Sequence, residues 1–503
     1  MVCGNRLWAY PLGALLCMAT VFGQGTNRAA ILDPDVPSPL GLGESTGFGH
    51  ALAWVGEQLV IGAPRSHRSG ERGGALWAWS PMAQETTPIF VPGNRDWSSL
   101  GWSLNAARVD HKLAAGAPGE EVQGVSSGAV HLLQTRPTGI HWLQRLQPQT
   151  PEANAGFGHA LAWDGGDLWV AAPFASGPVG FQAGYLARFA QAGTGFGFAD
   201  RRVSPSPQAG ARFGEALVIA DQEIIVGAPG QLGGGVVFVM PLQAGGASSV
   251  QGLSPTVPLP AHGGFGSSLA VSEDRSALAV GIPWLGAGAV QLFQRDGAGL
   301  WQPRRLVRAP HGNGASAFGS QLTFDGSNLW ISAPGGGGQV FCMADWRSQL
   351  APLLFASGGG EVALGRAILP TQKPFLIGAP GHGRATFEPA EKASVRWQCR
   401  PRLQHFDLGE GVSAQSVVHG APWQGLLALG AGGLPANKRV ELRISDPSVP
   451  TGWRVLGAGP ADGAGAWQWS GDLSGSSSGH WRLELHIGNA FRRRLRIQAP
   501  SCE

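Results

Sequence analysis

The stretch Phe48-Gly49-His50-Ala51-Leu52, followed by Leu59-Val60-Ile61-Gly62-Ala63-Pro64 and then Gly74-Ala75-Leu76-Trp77-Ala78-Trp79, decides how this chain is to be read. An aromatic-Gly step opens one short apolar run, a Gly-Ala-Pro turn closes a second, and a Gly starts a third. The step reopens at Leu100-Gly101, Phe157-Gly158, Phe213-Gly214, Phe265-Gly266, Phe318-Gly319 and Leu364-Gly365. The turn returns at Gly116-Ala117-Pro118, Ala171-Ala172-Pro173, Gly227-Ala228-Pro229, Gly281-Ile282-Pro283, Ser332-Ala333-Pro334 and Gly378-Ala379-Pro380. A phrase repeated at intervals of roughly fifty residues means stacked copies of one supersecondary unit, none able to bury its own core.

The runs within each copy are short, β-branched or aromatic, and bounded by Gly, Pro, Asn or Asp, which is strand grammar. The first copy predicts strands over 48–54, 58–62 and 74–79, with a fourth near 87–91. The Gly after Phe permits a positive φ or close backbone approach, and the aromatic ring fills the wedge between neighbouring sheets. The Pro of each turn cannot donate to a ladder and so ends strand two. Four-stranded sheets packed radially around an axis bury both faces of each. The expected fold is all-β: a seven-bladed β-propeller over 24–400, followed by a small antiparallel β-sandwich over 403–503.

The second part rests on period-two alternation in Val440-Glu441-Leu442-Arg443-Ile444, Trp467-Gln468-Trp469, Trp481-Arg482-Leu483-Glu484-Leu485 and Leu495-Arg496-Ile497. Such alternation reads as half-buried antiparallel strands. The basic run Arg492-Arg493-Arg494 reads as a solvated hairpin end.

The repeated phrase resembles the FG-GAP repeats of integrin α-subunit propellers and of secreted bacterial proteins, across about residues 30–395. The resemblance implies that the N-terminal segment, Ile31-Leu32, adds the outer strand of the last blade and so closes the ring. It also implies calcium loops of the form Asp-x-Asp-x-Asp-Gly in some copies. The corresponding turns here, such as Val55-Gly56-Glu57 and Asp164-Gly165-Gly166-Asp167, are too short and too poor in carboxylates to wrap calcium. Asp164 with Asp167 is the remnant worth testing; no metal and no cofactor is expected. Ser478-Gly479-His480-Trp481-Arg482-Leu483 resembles the Gly-x-Trp-x-Leu strand of P domains.

With 36 basic against 33 acidic residues, the chain lacks the charge surplus of a nucleic-acid binder. Residues 1–23 read as a signal peptide: Arg6, an apolar stretch over 12–22, then a start near Gln24. No later window is apolar for the roughly twenty residues that span a bilayer, so the mature chain is expected outside the cytoplasm, secreted or at the cell surface or periplasm. Cys342, Cys399 and Cys502 remain after cleavage, with Cys342 and Cys399 the better pair if a disulfide forms.

No Gly-x-Ser-x-Gly, His-Glu-x-x-His or Gly-x-x-x-x-Gly-Lys motif is present. His50 and His159 follow the Phe-Gly step in two copies, where Glu215, Ser267 and Ser320 stand in others; they read as blade-edge residues. The loops between strands two and three share a face with the links between copies, and the longest insertions fall at 65–73, 119–127 and 174–182. Loops on a rigid scaffold carry recognition, and Arg and Trp are frequent anchors. The expected binding residues are therefore Arg65, His67, Arg68, Arg95, Trp97 and Phe174. The expected function is an exported, non-catalytic recognition or adhesion scaffold for an extracellular or envelope protein or glycan. A hydrolase with a cross-blade site and a structural part of an envelope assembly are the alternatives.

Overall fold

The structure is a computed structural model that describes residues 30–32, most of 46–379, and strand residues between 394 and 498. Within 46–379 the exceptions are 68–71, 81–84, 108–109, 194, 244–249, 261–262, 311–315, 344, 348–350, 358–362 and 370–374. The expected signal peptide, Arg68, Cys399 and Cys502 lie outside the described residues. The described residues form strands and turns, with no helix among them.

Six four-stranded antiparallel blades are each built from strands that follow one another in the chain. The first comprises Ala51–Val55, Gln58–Ala63, Ala75–Ser80 and Glu85–Ile89, close to the expected spans. The second, from Ser103–Ala106 to Gly139–Leu146, carries an inserted hairpin of Glu121–Val122 and Val125–Ser126. The remaining four open with Leu161–Asp164, Leu217–Ala220, Leu269–Val271 and Leu322–Asp325.

The count of seven like blades is corrected here. The seventh phrase supplies only Ala367–Leu369, Phe375–Ala379 and Ser394–Gln398, and the fourth strand of that sheet is Ala30–Leu32. The next strand, Arg402–Asp407, belongs to another sheet, and the outer edge is covered from the other end of the chain: Ile31 pairs with Arg396 and Leu32 with Val395. The first strands neighbour one another in sequence order around the ring, and Ala367–Leu369 returns to the side of Ala51–Val55.

The repeated phrase makes one local structure seven times. The Gly of the Phe-Gly or Leu-Gly step sits at φ between 88° and 99° in all seven copies. Its amide donates to the carbonyl of the Gly, Ala or Ser that opens the turn, as from Gly49 to Gly62 at 3.0 Å and Gly365 to Gly378 at 2.9 Å. The next residue's amide folds back on the residue before the aromatic, as from His50 to Gly47 at 3.0 Å. Each strand two stops one residue before its Pro, at Ala63, Ala117, Ala172, Ala228, Ile282, Ala333 and Ala379.

The core lies between blades. Phe157 packs with Val130 and Leu132 of one blade and Val170 of the next, and Phe318 joins Val290 to Ile331 in the same way. Phe48 packs within blade one beside Ala367 and Leu369, which extends the core across the composite sheet. Phe318→Ala is therefore expected to cost roughly 3–5 kcal/mol, read as a lowered denaturant midpoint with unchanged slope.

Beyond the ring, all four alternating segments are strands. One four-stranded sheet holds Arg402–Asp407, Val412–His419, Gln424–Ala431 and Trp467–Asp472, and the other Trp453–Pro460, Arg439–Ser445, His480–Ile487 and Ala490–Gln498. Val440 and Leu442 are buried, while Glu441 pairs with Arg443 at 2.5 Å on the opposite face.

Candidate active site

Because the phrase folds identically in each copy, the residue after its Gly takes the same place at the start of every first strand. These seven residues are His50, Trp102, His159, Glu215, Ser267, Ser320 and Arg366. Their contacts run across blades. His50 and Trp102 have ring centroids 4.6 Å apart, and Trp102 and His159 5.5 Å. Arg366 Nη2 lies 3.4 Å from His50 Nε2, and its guanidinium stands 5.8 Å from the Trp102 ring. The Arg366 charge also acts on His159 and exchanges influence with Glu215. A side chain from the composite sheet that reaches blades one to four points into the axis of the ring.

Two members of this column are spent on their own turns: Ser267 Oγ donates to Gly264 O at 2.7 Å and Ser320 Oγ to Ala317 O at 2.8 Å. The others make a mouth flanked by strand-two loops. Phe174 meets the His159 ring edge-on at 5.2 Å, and Arg65 acts electrostatically on Arg366. Arg212 Nη1 is 3.5 Å from Glu215 Oε2, with its guanidinium 5.6 Å from the half-exposed Trp284 ring. Glu215 Oε2 is buried, and no hydrogen-bond donor among the described residues satisfies it. The Arg212 approach is a charge contact too long for a good hydrogen bond.

The electrostatics follow from partial burial among like charges. Desolvation, then Arg366 and Arg212, lower the His159 pKa to about 4 from 6.5, so the imidazole is neutral at physiological pH. Desolvation raises the Glu215 pKa above its usual range, against the pull of Arg212 and Arg366. Desolvation, then Arg65, makes the Arg366 cation easier to deprotonate, and Glu215 opposes this. For His159 the folded state resists protonation, so its stability contribution is whole above 6.5 and is lost as pH falls towards about 4. His159→Gln is expected to flatten the fall in melting temperature between those pH values relative to wild type. Parallel curves would show that His159 does not titrate this way.

Of the residues expected from sequence to bind, Arg65 and Phe174 reach the axial mouth. Trp97, 52% exposed, instead lies under Arg72 at 5.1 Å. The Arg95 carbonyl accepts from Ser98 Oγ at 2.8 Å in the link between blades one and two, and His67 is half-buried in its loop. His50 and His159, read from sequence as blade-edge residues, lie just before the first strands of blades one and three, where both rings meet Trp102. Sequence reasoning missed Trp102, Arg212, Glu215 and Arg366. For Trp102, Glu215 and Arg366 the signal was present in the column after the Gly, which had to be read across all copies together; Arg212 stands before the aromatic, outside that column.

Two further ionisable groupings are structural. His131 Nε2 lies 2.6 Å from Glu120 Oε2, Arg145 Nε 2.6 Å from Glu120 Oε1, and Trp142 Nε1 donates to His131 Nδ1 at 3.1 Å. That donation places the imidazole proton on Nε2, facing the carboxylate. Glu120 and His131 are fully buried and anchor the start of the inserted hairpin. Asp167, half of the acidic remnant, accepts from Arg188 Nη1 at 2.9 Å. Among the described residues no group of three or more His, Cys, Asp or Glu could hold a metal.

No protein-family profile and no curated protein matches the sequence. Similar solved structures include the Pseudomonas aeruginosa periplasmic gluconolactonase PpgL, at 14% identity and TM-score 0.41, covering 88% of this chain and 99% of that one. A putative 6-phosphogluconolactonase from Bacteroides fragilis matches at 13% identity and TM-score 0.46, covering 73% and 92%. The Cps50 (Swd1) β-propeller domain from Myceliophteria thermophila matches at 12% identity and TM-score 0.46, covering 73% and 99%. The expectation of a non-catalytic scaffold, not an enzyme, is corrected by these findings. Two of the three are named as lactonases. What the fold leaves open, the side chains at the axis must decide.

Proposed function

We propose that the chain is a hydrolase whose active site is the axial mouth. The observation that carries this reading is the gathering of His159 from blade three, Arg212 and Glu215 from the start of blade four and Arg366 from the composite sheet into one partly desolvated place, with a Glu215 oxygen unsatisfied. A carboxylate of raised pKa is a better base than a surface one. Glu215 takes a proton from water as the water oxygen attacks an acyl carbon. Arg212, beside Glu215, stabilises the negative charge that develops on the acyl oxygen. His159, neutral, hydrogen-bonds the water without adding charge, and the leaving oxygen receives the proton from Glu215. Proton release from a panel of lactones, carboxylic esters and phosphate esters, followed between pH 5 and 9, tests the assignment. Turnover above background for one class is expected; none for any class would remove the enzyme reading.

The repeated phrase also supports a relation to FG-GAP propellers, and the apolar stretch at 12–22 supports export. A chain recovered outside the cytoplasm should begin near Gln24 on N-terminal sequencing. The alternating strands past residue 403 support a sandwich in which the two sheets face each other.

A further inference from the structure

We infer that Arg366 and Arg65 form an anion subsite at the axial mouth that takes a carboxylate or phosphate group of the substrate; this rests on the hydrolase reading of the same site. Arg366 springs from the start of Ala367–Leu369 and Arg65 from the loop after Gln58–Ala63, on sheets that neighbour each other in the ring. Their like charges act on each other in a partly desolvated setting. Arg212 adds a third guanidinium, and Glu215 already sits against it at 3.5 Å. Among the described residues Glu215 is the carboxylate whose charge acts on Arg366. Three cations around one carboxylate leave a surplus of positive charge withdrawn from water, an arrangement that is costly until an anion enters.

The geometry gives that anion a defined seat. Arg366 stands 3.4 Å from His50 Nε2 and 5.8 Å from the Trp102 ring, contacts that place its guanidinium beside the two aromatic side chains. A planar fork matches the paired oxygens of a carboxylate or phosphate. Trp102, between the two imidazoles, supplies a flat wall beside it. The division of labour follows: Arg366 and Arg65 hold the charged end of the substrate while Arg212 and Glu215 face the reacting end.

The test is titration of the full chain with inorganic phosphate and, separately, with succinate at constant ionic strength, read by tryptophan fluorescence and calorimetry. Saturable binding of at least one is expected, and the stronger of the two names the source. Arg366→Gln should weaken it about 10-fold or more, and Arg366→Lys should recover part of the loss. Unchanged melting temperatures certify that both variants fold. Glu215→Gln should bind the anion at least as well as wild type while losing turnover. Anion binding without hydrolysis of any panel member would leave the subsite standing and remove the hydrolase. Hydrolysis of neutral esters with KM unaltered by Arg366→Gln, and no saturable anion binding, would remove the subsite alone.

Discussion

Glu215→Gln is expected to lower turnover by roughly 10²–10⁴-fold and to change how the stability of the ring depends on pH. Glutamine keeps the size of the side chain and its place between Arg212 and the axis, but cannot take a proton from water. The stability half follows from the pKa. Burial raises the folded-state value above the ordinary 4.5, so the folded state binds this proton more tightly than the unfolded one. The carboxyl therefore favours folding most below 4.5, and this advantage disappears as pH rises through the folded value. A neutral amide removes this proton uptake, and at neutral pH it also removes the negative charge that Arg212 and Arg366 face. Melting curves of the variant should therefore lack the wild-type contribution that grows as pH falls towards 4.5. A variant that retains full turnover would show that Glu215 is not the base.

The second large effect concerns stability. A β-carbon on Gly378 would stand 1.9 Å from the carbonyl oxygen of Gly49, at the join between the composite sheet and blade one. The same clash recurs around the ring: 2.1 Å from Gly62 to Gly101 O, 2.0 Å from Gly227 to Gly266 O and 2.1 Å from Gly281 to Gly319 O. No rotamer relieves a backbone clash of this kind, so one sheet must move away from the next. Gly378→Ala is expected to cost roughly 3 kcal/mol or more, and because the join closes the ring, the loss should appear in the global melt. Ala171→Gly supplies the contrast. There an alanine already occupies the equivalent position and its methyl group faces Gly214, so the spacing between those blades accepts a methyl group. That change should cost about 1–2 kcal/mol, from backbone entropy and the one buried methyl lost. Equal melting temperatures for Gly378→Ala and wild type would mean that this join does not hold the ring together.

The repeat was legible because each signature residue answers a local demand: Gly49 and its equivalents need positive φ, and each Pro must sit where strand two stops. The ring-closing strand was legible through Ile31-Leu32. The blade count was less so, because the seventh phrase looks complete up to Gly378-Ala379, and the composite sheet it enters was counted as a blade like the others. The axial site was hidden for a different reason. Catalytic motifs are recognisable when spacing within one segment fixes their geometry, whereas His50, Trp102, His159, Glu215 and Arg366 are brought together by a rotation about the axis. Taken singly, a histidine after Phe-Gly is an ordinary half-buried residue. Read as one column, the series of imidazole, indole, imidazole, carboxyl, hydroxyl, hydroxyl and guanidinium is too varied in charge to be only a structural repeat. Arg212 was harder still, since it stands before the aromatic and enters the site through its reach to Glu215.

The pairing of Ala30–Leu32 with Ser394–Gln398 bears on the order of events during biosynthesis. Domains of this size emerge from the ribosome over tens of seconds at synthesis rates of roughly 5–20 residues per second. The first blades are complete long before residue 398 exists, yet the N-terminal strand has no partner until then. Full closure is thus a late event that must wait for residue 398 of the 503, and until it happens both rims of the nascent arc present unpaired edges open to chaperones, translocation machinery or aggregation.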